Sequence, residues 1–311
     1  MKILCIIGWC RNGSTIIGNV LNEVPSFFHV GEIHFLWKNA AGRGANTFCG
    51  CGLHLTECGL WSKVLAEGRP PGLSVEEHAA EVVARQRAYV RTRHTWRVLR
   101  HGLGSPGVRA HTDLMARTFR SVSELTGADV LVDTTKIPGE AALLPLMDGV
   151  EPYFVHLVRD PRAVAGSWSV DKDYCIAMPA HTSTAYWSGF NAASRALLRR
   201  YPERSMLLRY ETFRADPEKT ISRLLRFVGA DPADNPVHGR EVRLHPNHTV
   251  TGNPDRFRSG TTLLREHDDQ WKERLTVRAR LATAALSWPQ FHRYGYSYRG
   301  TWERSTGGSG T

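Results

Sequence analysis

Residues able to hold an anion stand together in Gly8-Trp-Cys-Arg-Asn-Gly-Ser-Thr15. A glycine turn that opens a helix aims several backbone N–H groups at one point, and the helix dipole favours negative charge there. Ser14 and Thr15 add hydroxyl donors, and Arg11 can add a charge-assisted hydrogen bond. The frame is that of the phosphate-binding loop, G-x-x-x-x-G-K-[ST], but Ser14 stands where lysine belongs and the cation, Arg11, sits inside the loop. A capped glycine turn that binds nothing is the plainer alternative. The missing lysine counts against an ATP-splitting enzyme. So does the lack of a strand ending in a persuasive Mg²⁺-binding aspartate, for which Asp133 is the sole contender. A donor that needs no metal fits better.

Three other places carry chemistry-bearing residues. In "LVRDPRAVAGSW", Arg159 leaves an apolar run, Pro161 starts a helix, and Ser167 follows about two turns on. In "VDTTKIP", Lys136 is one of only seven lysines and follows another apolar run by four residues. In "FFHVGEIHFLW", Glu32 follows the loop helix by one short connection.

These residues need a scaffold that brings them together. Ile3–Ile7, Val130–Val132, Tyr153–Val158 and Met206–Leu208 are nearly continuous apolar runs, as strands buried on both faces tend to be. Helical patterns separate them, which predicts an α/β fold with a mostly parallel central sheet flanked by helices in three layers. Ligands in such sheets sit beyond the carboxyl ends of the strands. Those ends carry Gly8–Thr15, Asp133–Lys136, Arg159–Arg162 and Arg209–Glu211, so four polar clusters are expected at one crevice. Helices are expected over Glu76–His101, Thr220–Val228 and Leu263–Leu286, and turns over Asn247–Gly260. Residues 1–300 read as one domain, with 40–127 as a specificity insertion and 301–311 as a disordered tail.

Taken in order, the motifs resemble those of the PAPS-dependent sulfotransferases. "RNGST" resembles their 5′-phosphosulfate loop. Arg159 and Ser167, eight residues apart, resemble the pair that holds the ribose 3′-phosphate, and "LLRYETF" resembles the family's R-Y-E-D-L strand end. "NHTVTGNPDRFRSG" resembles the segment that closes over the nucleotide in bacterial and carbohydrate-type members. The resemblance runs from residue 3 to about 272 and implies a P-loop-like fold, PAPS as sulfonate donor and no metal. It assigns the donor to Arg11, Asn12, Gly13, Ser14, Thr15, Arg159, Ser167 and Tyr210, with Asn253, Arg256, Arg258 and Gly260 near the adenosine bisphosphate. "VDTTKIP" resembles the family's D-S-S-K-x-P, which places Lys136 beside Arg11 on the transferring group. The tyrosylprotein sulfotransferases have a G-E at a similar distance from the loop, which carries the role of base to Glu32. His29 and His34 are rival bases, and a surface glutamate opening a helix is the bland alternative. Ile16 stands where the best-known cytosolic branch has an adenine-stacking aromatic, and that branch's histidine base has no clear counterpart. The adenine contact is left unassigned.

Composition bounds the rest. The chain has 311 residues, a net charge of +10 and a pI near 9.6, which suit an anionic ligand. It has 33 arginines against 7 lysines, a skew that a GC-rich genome also produces. No run of 18 or more apolar residues and no signal-peptide pattern is present, so a cytoplasmic protein without membrane contact is expected. "RQRAYVRTRHTWRVLRH" is taken as a solvated face with arginine stems over apolar surface rather than as a nucleic-acid contact. In "CGCGLHLTEC", Cys49, Cys51 and Cys58 with His54 number four ligands, but the spacing is not a standard zinc pattern. A local disulfide and a turn-rich substrate loop stand beside zinc. The acceptor is expected to be a hydroxyl of a small molecule, a secondary metabolite or glycan; nothing indicates the oligomeric state. A P-loop small-molecule kinase, an inactive nucleotide-binding relative and a non-catalytic basic protein that binds a nucleotide or polyanion are the alternatives.

Overall fold

The computed structural model describes residues 1–44, 46–172, 176–266 and 269–298; the expected disordered tail lies outside them. The apolar runs form β1 (Lys2–Ile7), β3 (Val130–Lys136), β4 (Glu151–Val158) and β5 (Ser205–Arg209). A fifth strand, β2 (Phe27–Gly31), contains the strand-like "FFHV". All five pair in parallel in the order β2-β3-β1-β4-β5.

Alternation along β1 explains the three layers. Ile3, Cys5 and Ile7 enter one core with Trp37, Trp61 and Phe119, whereas Leu4 and Ile6 enter the other with Ile17, Val155 and Leu208. Each such side chain contributes on the order of 1.5–3 kcal/mol by leaving water, which makes the strands a rigid base for whatever their ends carry. Helices Trp61–Gly68, Val75–Tyr89 and Pro106–Thr126, from the segment read as an insertion, pack into the first of these cores. No helix among the described residues is long and apolar enough to cross a membrane.

Two expected helices are corrected. Glu76–His101 is not continuous: a helix over Val75–Tyr89 stops, Arg91 turns extended, and a second helix runs over Thr95–His101. Val90, β-branched and fully buried, is drawn into the core at the break. Leu263–Leu286 begins as a strand instead. β7 (Gly260–Leu263) pairs antiparallel with β6 (Glu241–Leu244), and short helices follow over Gln270–Arg274, Val277–Leu286 and Gln290–Arg293. Thr276 caps the second of these through the Ala279 N–H, which breaks the helical run there. The helix expected at Thr220–Val228 spans Pro217–Phe227, with Pro217 at its first turn.

Candidate active site

The carboxyl ends of all five parallel strands open on one crevice of about 460 Å³. β1 leads to the glycine loop, β2 to Glu32, β3 ends at Lys136, β4 leads to Arg159 and β5 to Tyr210. Among the described residues five cations face it, Arg11, Lys136, Arg159, Lys172 and Arg274, against two carboxylates, Glu32 and Asp255. That imbalance, at a volume suited to a nucleotide-sized molecule, fits an anionic ligand.

The loop reaches this position through a left-handed turn. Gly13 has φ +91° and caps the Ser14–Leu21 helix. The Tyr210 ring lies so close that a Cβ on Gly13 would sit 2.1 Å from it. Gly13→Ala is therefore expected to lower stability by about 2–4 kcal/mol, from the left-handed backbone and the forced shift of buried Tyr210. Urea unfolding measures it, and an unchanged midpoint would show that the loop yields at no cost. Arg11, at φ +69°, occupies the same left-handed region without glycine's freedom. Its guanidinium lies 4.7 Å from the ring centre of Trp168. Asn12 is buried behind the loop, where Nδ2 donates to the Leu157 carbonyl (3.0 Å) and Oδ1 accepts from the Ser14 N–H (3.2 Å).

Glu32 and Lys136 form an ion pair at the strand ends. Lys136 Nζ donates to Glu32 Oε1 (2.6 Å) and to the Thr134 carbonyl (2.7 Å), with the two side chains 5% and 14% exposed. The Glu32 N–H donates to the Thr251 carbonyl (3.3 Å), tying the base candidate to the segment across the crevice. Lys136 has φ +69°. Of the three non-glycine residues with positive φ among the described residues, two are the crevice cations Arg11 and Lys136. Such backbone costs about 1–3 kcal/mol, persists only where the surrounding structure holds it, and clusters at active sites and ligand clamps. Asp133 stays off the crevice. It is buried, accepts the Thr135 N–H through Oδ1 (2.8 Å), and has its carboxyl raised to about 7 by burial despite those hydrogen bonds. It caps the turn.

Arg159 and Ser167 face the crevice from β4 and the Pro161–Trp168 helix. Arg159 Nη1 donates to the Arg11 carbonyl (2.6 Å), and its guanidinium lies 5.1 Å from the Tyr210 ring centre. Lys172 Nζ donates to Ser167 Oγ (3.4 Å). Of the downstream segment, Asn253 lines the crevice with Thr251 and Gly252, but three expected contacts do not. Arg256 is buried behind the wall, donating to Asn46 Oδ1 (3.0 Å) and to the carbonyls of Gly252 (2.8 Å) and Phe48 (3.3 Å). Arg258 is exposed and paired with Asp255 (3.0 Å), and Gly260 opens β7. Sequence reasoning missed Trp168, Lys172, Trp271 and Arg274. Lys172 carried a faint signal as one of few lysines; the last two lay in a stretch read as one long helix.

The rival bases are committed elsewhere. His29 is buried between Asn19 Oδ1 (3.2 Å) and Thr134 Oγ1 (3.1 Å), and burial together with the Lys136 charge drops its pKa to about 3. His34 Nδ1 lies 2.6 Å from Glu140 Oε2, and His111 Nε2 lies 2.8 Å from Oε1 of the same carboxylate. His54 does not join the cysteines; its Nδ1 lies 2.6 Å from Thr56 Oγ1.

Residues 4–234 match the model of a family described as the sulfotransferase family. Among solved structures, the sulfotransferase domain from the Synechococcus PCC 7002 olefin synthase superimposes with a TM-score of 0.55 at 20% identity, covering 96% of this chain and 95% of that one. The sulfotransferase domain from the curacin biosynthetic pathway gives 0.54 at 17% identity, over 95% and 98%. Curated protein sequences yield no match. At such identities the structures speak for the fold, and the three-layer, P-loop-like architecture expected from the sequence is the one found.

Proposed function

The chain belongs to the sulfotransferase family, and from that premise we propose that it transfers the sulfonate of PAPS to a hydroxyl of a small-molecule acceptor, with Glu32 as general base. The observation that carries this is the meeting of a glycine loop, an arginine–serine pair and a glutamate–lysine ion pair at five adjacent strand ends. PAPS supplies an activated sulfonate on a 5′-phosphate and bears a 3′-phosphate. The loop at Gly13–Thr15 takes the 5′-phosphosulfate, and Arg159 and Ser167 take the 3′-phosphate. Tyr210 and Asn253 line the nucleotide's side of the crevice. Arg11 and Lys136 stabilise the charge that grows on the leaving oxygen, and Glu32 removes the acceptor proton. A secondary metabolite or glycan is the acceptor class proposed, and a cytoplasmic setting suits this donor.

Calorimetric titration with adenosine 3′,5′-bisphosphate and with ADP, each with and without Mg²⁺, tests the donor. Tighter binding of the bisphosphate, independent of Mg²⁺, is expected. Arg159→Ala should weaken it by roughly 30–150-fold, the loss of a charge-assisted contact of about 2–3 kcal/mol. Because Arg159 also holds the Arg11 carbonyl, ADP is the internal control: a loosened loop would weaken both ligands alike. A wild type that prefers Mg²⁺–ADP would overturn the PAPS assignment in favour of a kinase.

A further inference from the structure

Three cysteines and a histidine from distant parts of the chain converge beside the crevice. Cys58 Sγ lies 3.6 Å from Cys49 Sγ and 3.8 Å from Cys51 Sγ, and His248 Nδ1 lies 3.2 Å from Cys58 Sγ and 3.6 Å from Cys49 Sγ. All four atoms fall within 4.8 Å of one another. Zinc–sulfur bonds of about 2.3 Å and zinc–nitrogen bonds of about 2.0–2.1 Å, in a regular tetrahedron, require S···S edges of about 3.8 Å and S···N edges of about 3.6 Å. The four spacings given are close to those edges, and the other two, Cys49 to Cys51 and Cys51 to His248, lie within 4.8 Å. A disulfide would take two of the three sulfurs and strand the third, and all three are free thiols.

We propose that Cys49, Cys51, Cys58 and His248 bind one structural zinc ion that fastens the Cys-Gly-Cys-Gly loop to the downstream wall of the crevice. Four protein ligands close the coordination sphere, which separates a structural zinc from a catalytic one, and three thiolates with one imidazole select zinc over magnesium or calcium. The backbone is built for this approach. The Gly52 N–H donates to the Cys49 carbonyl (2.9 Å), turning the chain between the first two sulfurs, and the Cys58 N–H donates to the His54 carbonyl (2.9 Å), bringing in the third. Gly50 lies against the downstream segment, its N–H donating to the Thr249 carbonyl (2.9 Å), and a Cβ there would meet Asn247 Oδ1 at 2.1 Å. Trp61 Nε1 donates to the His248 carbonyl (2.5 Å) and fixes the backbone that carries the imidazole. The two segments joined by the ion also meet behind the crevice wall, where Arg256 bridges Asn46 and Gly252. The sequence concealed the site because the fourth ligand is 190 residues from Cys58, while His54 stood nearby as a decoy.

The test is the metal content of the full chain, purified with reductant and without chelator, measured by plasma mass spectrometry. One zinc per chain is expected, retained in His54→Ala and lost in His248→Ala and Cys58→Ser. Should those variants fold poorly, the wild type decides. Cobalt(II) added to the chelator-stripped protein should give intense visible bands of a tetrahedral site and near-ultraviolet thiolate-to-cobalt charge transfer, and zinc should displace them stoichiometrically. Zinc removal should also lower the thermal midpoint. Zinc-free wild-type protein with no thiolate–cobalt band, a disulfide between any two of the three cysteines, or full zinc retention in folded His248→Ala would overturn the assignment.

Discussion

Glu32→Gln is expected to lower kcat for sulfonate transfer by about 10²–10⁴-fold, the span of general-base catalysis, while leaving adenosine 3′,5′-bisphosphate affinity within a few-fold. Glutamine keeps the shape of glutamate and cannot take a proton. Lys136 should keep its place in the variant, because the Thr134 carbonyl holds the same ammonium at 2.7 Å. The separation of kcat from donor affinity is what distinguishes a base from a merely structural carboxylate. A structural partner of Lys136 would lose both together as the lysine drifted. Lys136→Ala should also lose activity, and since the pair is in contact at 2.6 Å, the double variant should fall little further than the worse single one. Single-turnover kinetics on the four proteins gives the answer. Glu32→Gln activity within threefold of wild type would move the base elsewhere.

The sheet was legible because burial on both faces imposes a pattern that survives without any neighbour in view. Ile3–Ile7 could be read as a central strand from five apolar residues and a following glycine. β6 and β7 were not, because β6 alternates buried with exposed over only four residues and β7 buries just one of its four, too little to stand above turn composition. Glu76–His101 was read as one helix for a related reason. The interruption at Val90 and Arg91 is dictated by what Val90 buries against, not by local propensity.

Much the same division holds in the crevice. Residues on strand ends were found by following each apolar run to its last member: Arg11, Lys136, Arg159 and Tyr210 all line the crevice. Arg256 and Arg258 were assigned from a motif that lies on no strand, where spacing says nothing of direction, and one turns into the protein and the other out to solvent. The positive φ at Arg11 and Lys136 had no sequence signal, since neither residue type favours that backbone. His248 and Trp271 depend on long-range packing that one sequence does not display.

Loss of Glu140 should be strongly destabilising although it alters no apolar residue. Its carboxylate is buried between His34 and His111, and although burial alone would raise its pKa, the two histidines hold it below the usual carboxylate range. Glu140→Ala would strand two buried imidazoles and leave a cavity, an expected cost of about 3–5 kcal/mol. Glu140→Gln should cost less but not nothing, because an amide offers one acceptor where two ring nitrogens need one. His111 cannot simply switch tautomer, since its Nδ1 is buried without a hydrogen-bond partner. The pH dependence has a definite sign. A carboxyl depressed on folding contributes stability that is full above its unfolded pKa near 4.5 and erodes as pH falls below it. Buried Asp133, raised to about 7, works in the opposite direction, its contribution declining as pH rises from about 4 towards 7. The Glu140 charge raises Asp133 only as a lesser influence behind burial and the Thr135 hydrogen bonds, so the difference between wild type and Glu140→Gln removes most of the Asp133 contribution. Urea unfolding of both between pH 7.5 and 4 should show the gap narrowing below about pH 5. A gap that stays constant would mean the carboxylate's charge is not what the histidines hold. Activity should follow stability here. Glu140 lies four residues after Lys136, and His34 two after Glu32, so this carboxylate clips together the two chain segments that carry the proposed catalytic pair.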